Sequence, residues 1–479
     1  MLLFLSEGIK TYTKANSYKS IDKNYTNKEK GDGMEKVLLV GVGGAGCHST
    51  NRLRRSGVSN CEYLAIDTDV EQLGMVHKNT KKLLIGKASL HGKGAGGYPS
   101  HGAEAAKRAK KALEKAIGKR ELVFLFTGMG GGTGTGVAPV VAEIAKKHGA
   151  LTIAFATIPF KLERARRMKT NDGLKALAKS ADAVLLMEND CLVKLVPNLP
   201  ISHAFAVIDE LVAKAVKGCM SVHDGKLLTG VDANEFVEMF SNAGFGYLSW
   251  GEGKGSDKVN VAAKGVAKNF FFGSERPRAK RAFVDVLIGK NGTLGEAMQA
   301  GEDAIKATNA DSTKFAARIG ETGDDTLEIS VLATGVPAPD FSVLEQYNKQ
   351  FLAVVAEGEL EKITRAIVRD HANVNVRDKL GAQPIHSAAF KGNLEVAKLL
   401  VKKGADVNAR GPGGSTPISF AARMAHAKLK GADYEGLVRF LIEKGADVNA
   451  KNTSGCSPLH FAKNKKVAEL LRKAGARKR

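Results

Sequence analysis

The chain has 479 residues, of which 43% are hydrophobic, and a formal net charge of +22. That length accommodates about three domains of ordinary size, and the apolar share is enough for more than one core, which excludes a wholly disordered chain. No run of about 18 or more apolar residues occurs, so no transmembrane helix is expected. The five cysteines, odd in number and without a C-x-x-C pair, exclude a disulfide framework and a structural zinc site and fit a reducing cytoplasm. No metal-ligand spacing occurs among the histidines. The basic balance favours acidic partners, and it is concentrated at one end: residues 351–479 hold 24 Lys and Arg against 12 Asp and Glu.

Residues 1–33 are polar and read as a disordered N-terminal tail, and Met34 is a candidate first residue. MLLFL at the start is too short for a signal-peptide core. From Glu35 onward, short apolar runs alternate with helical patterns. Strands are expected at 37–40, 63–66, 123–126, 151–157 and 184–187, with helices at 103–117 and 137–148 between them. Alternation of this kind predicts an α/β fold with a doubly wound, Rossmann-like parallel sheet over 34–222. Its last element is a long amphipathic helix at about 200–222. A helical stretch from Phe236, strands at 283–288, 313–319 and 327–333 and a helix at 294–308 then predict a smaller α+β domain over 223–340.

A linker is expected at 341–350, and a repeat begins at 351. The segments HANVN, GADVN and GADVN end at Asn375, Asn408 and Asn449, which are 33 and 41 residues apart. The prolines of QPIH, TPIS and SPLH (Pro384, Pro417 and Pro458) keep the same spacing. Two independent motifs in one period resemble the ankyrin repeat, an all-α solenoid, with an eight-residue insertion near 424–434. The first and last units are atypical, as solenoid caps tend to be.

Two glycine runs carry the chemistry. GVGGAG (41–46) follows a strand and opens a helix, and Asp67 stands 21 residues after Gly46. This also fits the dinucleotide fingerprint of a nicotinamide-dependent oxidoreductase, so by itself it says only that a phosphate rests on a helix N-terminus. The second run, Gly130, Gly131, Gly132, Thr133, Gly134, Thr135 and Gly136, likewise lies between a strand and a helix. Its backbone N–H groups can form an anion-binding nest, and Thr133 and Thr135 add hydroxyls. No GK[ST] follows, so a P-loop lysine is absent.

GVGGAGCH, HGKGAGGYP (91–99), GMGGGTGTG, PFKLERARRM (159–168) and END (188–190) together resemble the cell-division GTPase FtsZ, of the tubulin/FtsZ superfamily. The resemblance runs from about residue 35 to 335. It implies a GTP- and GDP-binding protein in which Gly43, Gly44 and the 130–136 loop contact phosphates. Glu163 and Arg167 match the family's E-x-x-x-R at the ribose and phosphate region. Asn189 matches its guanine-contacting Asn, Phe205 the residue that packs on the base, and Asp209 the carboxylate that accepts from the guanine edge. It also implies that hydrolysis needs a loop from the next subunit, so that head-to-tail copies build a filament. Here that loop carries Asp232 and Glu235 as catalytic carboxylates, with Gly230 where FtsZ has Asn; V-D-x-x-E-F resembles the α-tubulin loop. Mg²⁺ would offset phosphate charge. The implied setting is cytoplasmic, at the division site.

The repeats stand where such proteins usually end in a disordered linker and a tether-binding peptide. They are expected to recruit a protein partner. The basic end (Arg472, Lys473, Arg477, Lys478 and Arg479) is a candidate contact for anionic membrane, and nucleic acid is not an expected partner. Two further readings share the fold: a non-hydrolysing scaffold, for which Gly230 is the best argument, and a filament devoted to cell shape.

Overall fold

The computed structural model describes residues 36–223, 227–228, 231–272, 276–320, 322–339, 342–368, 372–427 and 429–477. The tail 1–33, Met34, Gly230 and the basic residues Lys478 and Arg479 lie outside the described residues.

Among the described residues, ten strands form one sheet in the order β3-β2-β1-β4-β5-β6-β7-β10-β8-β9. They are β1 (Val37–Val42), β2 (Glu62–Asp67), β3 (Lys81–Leu84), β4 (Leu122–Gly128), β5 (Leu151–Ile158), β6 (Ala183–Glu188), β7 (Gly244–Lys254), β8 (Arg281–Ile288), β9 (Ser312–Ile319) and β10 (Thr326–Val336). The run from β3 to β7 is parallel throughout. β10 runs antiparallel to both β7 and β8, and β9 is parallel to β8. Consequently β6, β7, β8 and β9 all begin at the same edge of the sheet.

Burial explains the near-continuous apolar strands. Along β1, Val37 and Leu39 enter a core beneath the Ile201–His223 helix, while Leu38, Val40 and Val42 enter a second core beneath the Pro99–Arg108, Gly132–Lys147 and Arg164–Ser180 helices. A sheet covered on both faces has no polar side to alternate with.

The parallel half and the smaller half share one sheet. β7, missed in the sequence, joins the parallel half to the smaller half. Its sequence, GFGYLSWGEGK, carries four glycines. At Gly251 and Gly253 a Cβ would come within 1.9 Å of carbonyl oxygens of Ala262 and Lys258, so the strand lacks side chains where the Lys258–Lys268 helix lies against its backbone. The expected 103–117 helix is two helices, Pro99–Arg108 and Lys110–Ile117, broken at Ala109.

The expected linker is helical from Ser342 on: a helix runs Ser342–Glu357 and carries Phe351 and Val355 into the array's core. It pairs with Leu360–Val368. Three further pairs follow: Pro384–Lys391 with Leu394–Lys402, Pro417–Met424 with Tyr434–Glu443, and Pro458–Phe461 with Lys465–Lys473. Each of the last three pairs opens with proline in its first turn, where the missing N–H costs nothing.

The VN motif has a mechanical role. Asn375 Nδ2 donates to Gly404 O at 2.8 Å, and its Oδ1 accepts from Asp406 N at 3.1 Å. Asn408 does the same to Gly445 O and Asp447 N (2.9 and 2.7 Å), and Asn449 to Gly475 O and Arg477 N (3.1 and 2.9 Å). An asparagine ladder thus ties each unit to the next.

Candidate functional site

The parallel strands reverse their order between β1 and β4, a switch point where open α/β sheets bind ligands beyond the carboxyl ends of the strands. The two glycine loops leave those two strands. Each opens directly into a helix, Gly43–Arg55 and Gly132–Lys147. Neither helix has a side-chain cap on its first-turn N–H groups, and neither carries an acidic residue there. By contrast, Asp232, Thr293, Asn393, Asp433 and Asn464 all cap their helices. Two neighbouring helix N-termini with free donors and aligned dipoles form a site for an anion.

The loops interlock. Gly43 has φ +71°, and a Cβ there would stand 2.8 Å from Gly134 N, so a side chain would wedge the loops apart. Within the second loop, Thr135 Oγ1 accepts from Gly130 N at 2.8 Å, and Thr133 Oγ1 bonds Thr68 Oγ1 at 2.7 Å. Both hydroxyls therefore also brace the loop. Asp67, the fingerprint acid, accepts from Thr68 N and Asp69 N at 2.7 and 3.3 Å and is 2% exposed. Burial raises its carboxyl above the usual range. Its Oδ1 thus braces a turn.

Beside the loops lies a small cleft, with room for about one water molecule, lined by Ala45, Ser49, Thr127, Thr157, Met187 and Asp209, among others. Phe205 and Asp209 lie four residues apart on the Ile201–His223 helix. Phe205 meets Phe160 edge-on, with centroids 6.2 Å apart. Asp209 is bonded by Arg52 Nη1 at 2.6 Å and also by Ser49; burial pushes its carboxyl up, and these partners oppose that shift. Asn189 follows β6. Its Oδ1 is buried without a hydrogen-bond partner, as is Thr127 Oγ1. Buried orphans of this kind are rare and call for a partner.

Glu163 accepts from Phe160 N and pairs with Arg166, at 3.1 and 2.9 Å. Arg167 holds Asp190 and Glu188 at 3.0 and 3.3 Å and donates to Pro159 O. The two residues of E-x-x-x-R thus sit in separate ion-pair sets at the start of one helix. Among the described residues no group of three His, Cys, Asp or Glu is positioned to hold a metal ion.

Arg52 and Ser49 were not singled out in the sequence. With Ala45 they fall at helical i, i+4, i+7 spacing behind the first glycine loop, a signal that could have marked them. Lys169 was also missed: its ammonium donates to Gly97 O at 2.8 Å and lies over the Tyr98 ring. Burial lowers its pKa.

Asp232 and Glu235 are not brought to this cleft. They form the capping box of the Ala233–Phe240 helix: Asp232 Oδ1 accepts from Glu235 N at 2.8 Å, and Glu235 Oε2 from Asp232 N at 3.2 Å. Glu235 also pairs with Lys314, near the start of β9; that bond holds its carboxyl below the usual range. Past this helix, Asn242 N donates to Asp182, the residue before β6. The carboxylates therefore lie along the edge where the strands begin, and the glycine loops along the edge where they end.

Comparison with known proteins agrees with the fold. The GTPase-domain model of the Tubulin/FtsZ family matches residues 36–197, and a model of three ankyrin repeats matches 350–451. The chain is 35% identical over 339 residues to cell division protein FtsZ 2 of Methanocaldococcus jannaschii, covering 70% of this chain and 89% of that protein. It is 36% identical over 318 residues to cell division protein FtsZ 1 of Thermococcus kodakarensis, covering 66% and 84%. Among solved structures, an empty FtsZ dimer from M. jannaschii aligns with TM-score 0.58 and 33% identity over 69% of this chain and 92% of that one. A GTPγS-bound protofilament of CetZ2 from Haloferax volcanii aligns with TM-score 0.56 at 24% identity, over 65% and 97%, a likeness of fold alone.

Proposed function

This chain belongs to the tubulin/FtsZ family, and from that premise we propose that it binds GTP and GDP at the switch point and hydrolyses GTP only between two copies. The observation that carries the proposal is the split of the machinery between opposite edges of one sheet. Uncapped helix N-termini and close glycines line one edge. Two carboxylates line the other and are out of reach of the first within one chain. A head-to-tail copy would bring them together, and such a heterologous contact, not closing, builds a filament.

In this reading the N–H groups at Gly43, Gly44 and 130–136 bind the phosphates. Asn189 Oδ1, an acceptor without a partner, takes a donor from the guanine. Phe205 packs on the base. Asp209 accepts from the guanine edge, giving up part of its bond to Arg52 or sharing it. Glu163 and Arg167 border the ribose. Mg²⁺ would offset phosphate charge. Asp232 or Glu235 of the next copy would take a proton from the attacking water. The array would recruit a protein partner to the filament, and the setting is cell division in the cytoplasm.

The test is GTP turnover against protein concentration, with phosphate release and light scattering read together. Specific activity that rises with concentration alongside scattering is expected. Activity that stays flat from nanomolar to tens of micromolar would refute a shared site. One observation favours a second reading: both carboxylates are already engaged in a capping box, as in a scaffold that assembles without hydrolysis. Scattering without phosphate release would select it.

A further inference from the structure

The array does not hang free of the GTPase domain. Ser100 Oγ donates to Gly404 O at 3.1 Å, and Asn375 Nδ2 reaches both Ser100 Oγ (3.3 Å) and Gly404 O (2.8 Å). The GTPase domain has therefore joined the asparagine ladder at the step between two repeats. Tyr98 lies against the same point: a Cβ on Gly404, whose φ is +88°, would come within 2.4 Å of the Tyr98 ring.

The segment that makes these contacts also braces the second glycine loop. A Cβ at Gly132 would come within 2.9 Å of Tyr98 N, so the two backbones touch. Gly94 N donates to Thr68 O at 3.1 Å, and Thr68 bonds Thr133 at 2.7 Å. From the other side Lys169 fastens Gly97 O. One packed layer thus runs from the 130–136 loop through 94–101 to Gly404.

We propose that the ankyrin array is docked in cis on the 94–101 segment and that this contact couples its position to occupancy of the glycine loops. The inference rests on the nucleotide reading of those loops. The array holds 94–101 against Gly132 and so pre-organises the loop for phosphate. Linkage makes the effect reciprocal: a nucleotide that binds the braced loop better also tightens the array's hold, and whatever draws the array away weakens nucleotide binding.

The ladder supplies a matched control. Gly445 occupies the same position one repeat later, with φ +85°, and a Cβ there meets nothing within 4 Å. Gly404→Ala and Gly445→Ala carry the same left-handed strain, but only the first collides with Tyr98. Fluorescent GDP is titrated into the full chain and both variants, with circular dichroism melts to match their folding. Gly404→Ala should weaken GDP binding by about fivefold or more, the lower range of allosteric couplings, and Gly445→Ala should leave it within about twofold of the parent chain. Hydrogen exchange on the parent chain should show GDP slowing the amides of 402–408 as well as those of 130–136. Equal affinity in the two variants, tighter binding by Gly404→Ala, or GDP protection at 130–136 without any at 402–408 overturns the coupling. If GDP protects neither segment, the nucleotide reading itself falls, and the coupling with it.

Discussion

Alanine replacement of Asp232 and Glu235 would be a poor test of their role, because it also removes a helix cap. The Ala233–Phe240 helix buries Phe236, Met239 and Phe240, and its N-terminus is closed by the Asp232 carboxylate on Glu235 N at 2.8 Å. Asp232→Ala should cost about 1 kcal/mol of stability through the cap alone. Asp232→Asn and Glu235→Gln keep an oxygen at each position, so the reciprocal bonds survive while both charges are lost; asparagine caps about as well as aspartate. If these carboxylates take a proton from the attacking water, the double amide variant should lose roughly 10²–10⁴-fold in GTP turnover, about 3–5 kcal/mol of barrier. A change of that size cannot come from a cap that has been kept. GDP affinity and the melting temperature should stay near those of the parent chain, since both residues lie on the edge away from the glycine loops. The assay is phosphate release at a protein concentration where scattering saturates, with a melt run alongside. Turnover within about threefold of the parent, with assembly intact, would refute the reasoning, since a lost general base costs at least about a hundredfold.

Three further outcomes are expected. Gly43→Ala should cost about 1–2 kcal/mol for its left-handed backbone and push Gly134 away, weakening GDP binding at least about tenfold, or ~1.4 kcal/mol; titration with unchanged affinity would show that the loops need not interlock. Asn189→Ala removes a buried acceptor that has no partner, so the melt should hold or rise slightly while guanine affinity falls about tenfold; a lower melting temperature with unchanged affinity would make Asn189 structural. His386 accepts Gln383 N at Nδ1 and donates from Nε2 to Ala409 O, at 3.1 and 3.0 Å, and its burial lowers its pKa. Its neutral form is therefore the folded one. The stability this contributes is fully present above the unfolded value of about 6.5 and is lost as pH falls through the lower folded value. The array's melting temperature should drop between pH 7 and 5, and His386→Gln should flatten that slope; an equal slope in both would place the titration elsewhere.

How much of this could be read in the sequence depended on whether one segment carried its own reason. The strands before the two glycine loops were legible, to within two residues of their ends at Val42 and Gly128, because buried apolar runs stopped at glycines. The array was legible because Asn375, Asn408 and Asn449 make the same two bonds at each step, and a repeated bond demands a repeated residue. β7 was not, because its glycines record the presence of the Lys258–Lys268 helix rather than any tendency to form a strand. Asp232 and Glu235 were read as catalytic by resemblance alone. D-x-x-E before an apolar helix is also a capping box, and the two roles use the same atoms on an exposed edge.

The contact between Ser100 and Gly404 illustrates the deeper limit. Ser100 follows Tyr98-Pro99 at the start of a helix, where serine is ordinary. Gly404 recurs as Gly445 and, in the last unit, as Gly475, all left-handed, and all accept from a ladder asparagine. Nothing in the repeat distinguishes Gly404 from the other two, because repetition specifies only what the units share. What sets it apart is that the Tyr98 ring lies where the next repeat's equivalent glycine has open space. A solenoid written by one rule thus acquires a unique docking point from the domain it follows. The point falls at Tyr98 and Ser100, on either side of Pro99, in the segment that braces Gly132. Comparing Gly404→Ala with Gly445→Ala therefore isolates the docking from the repeat.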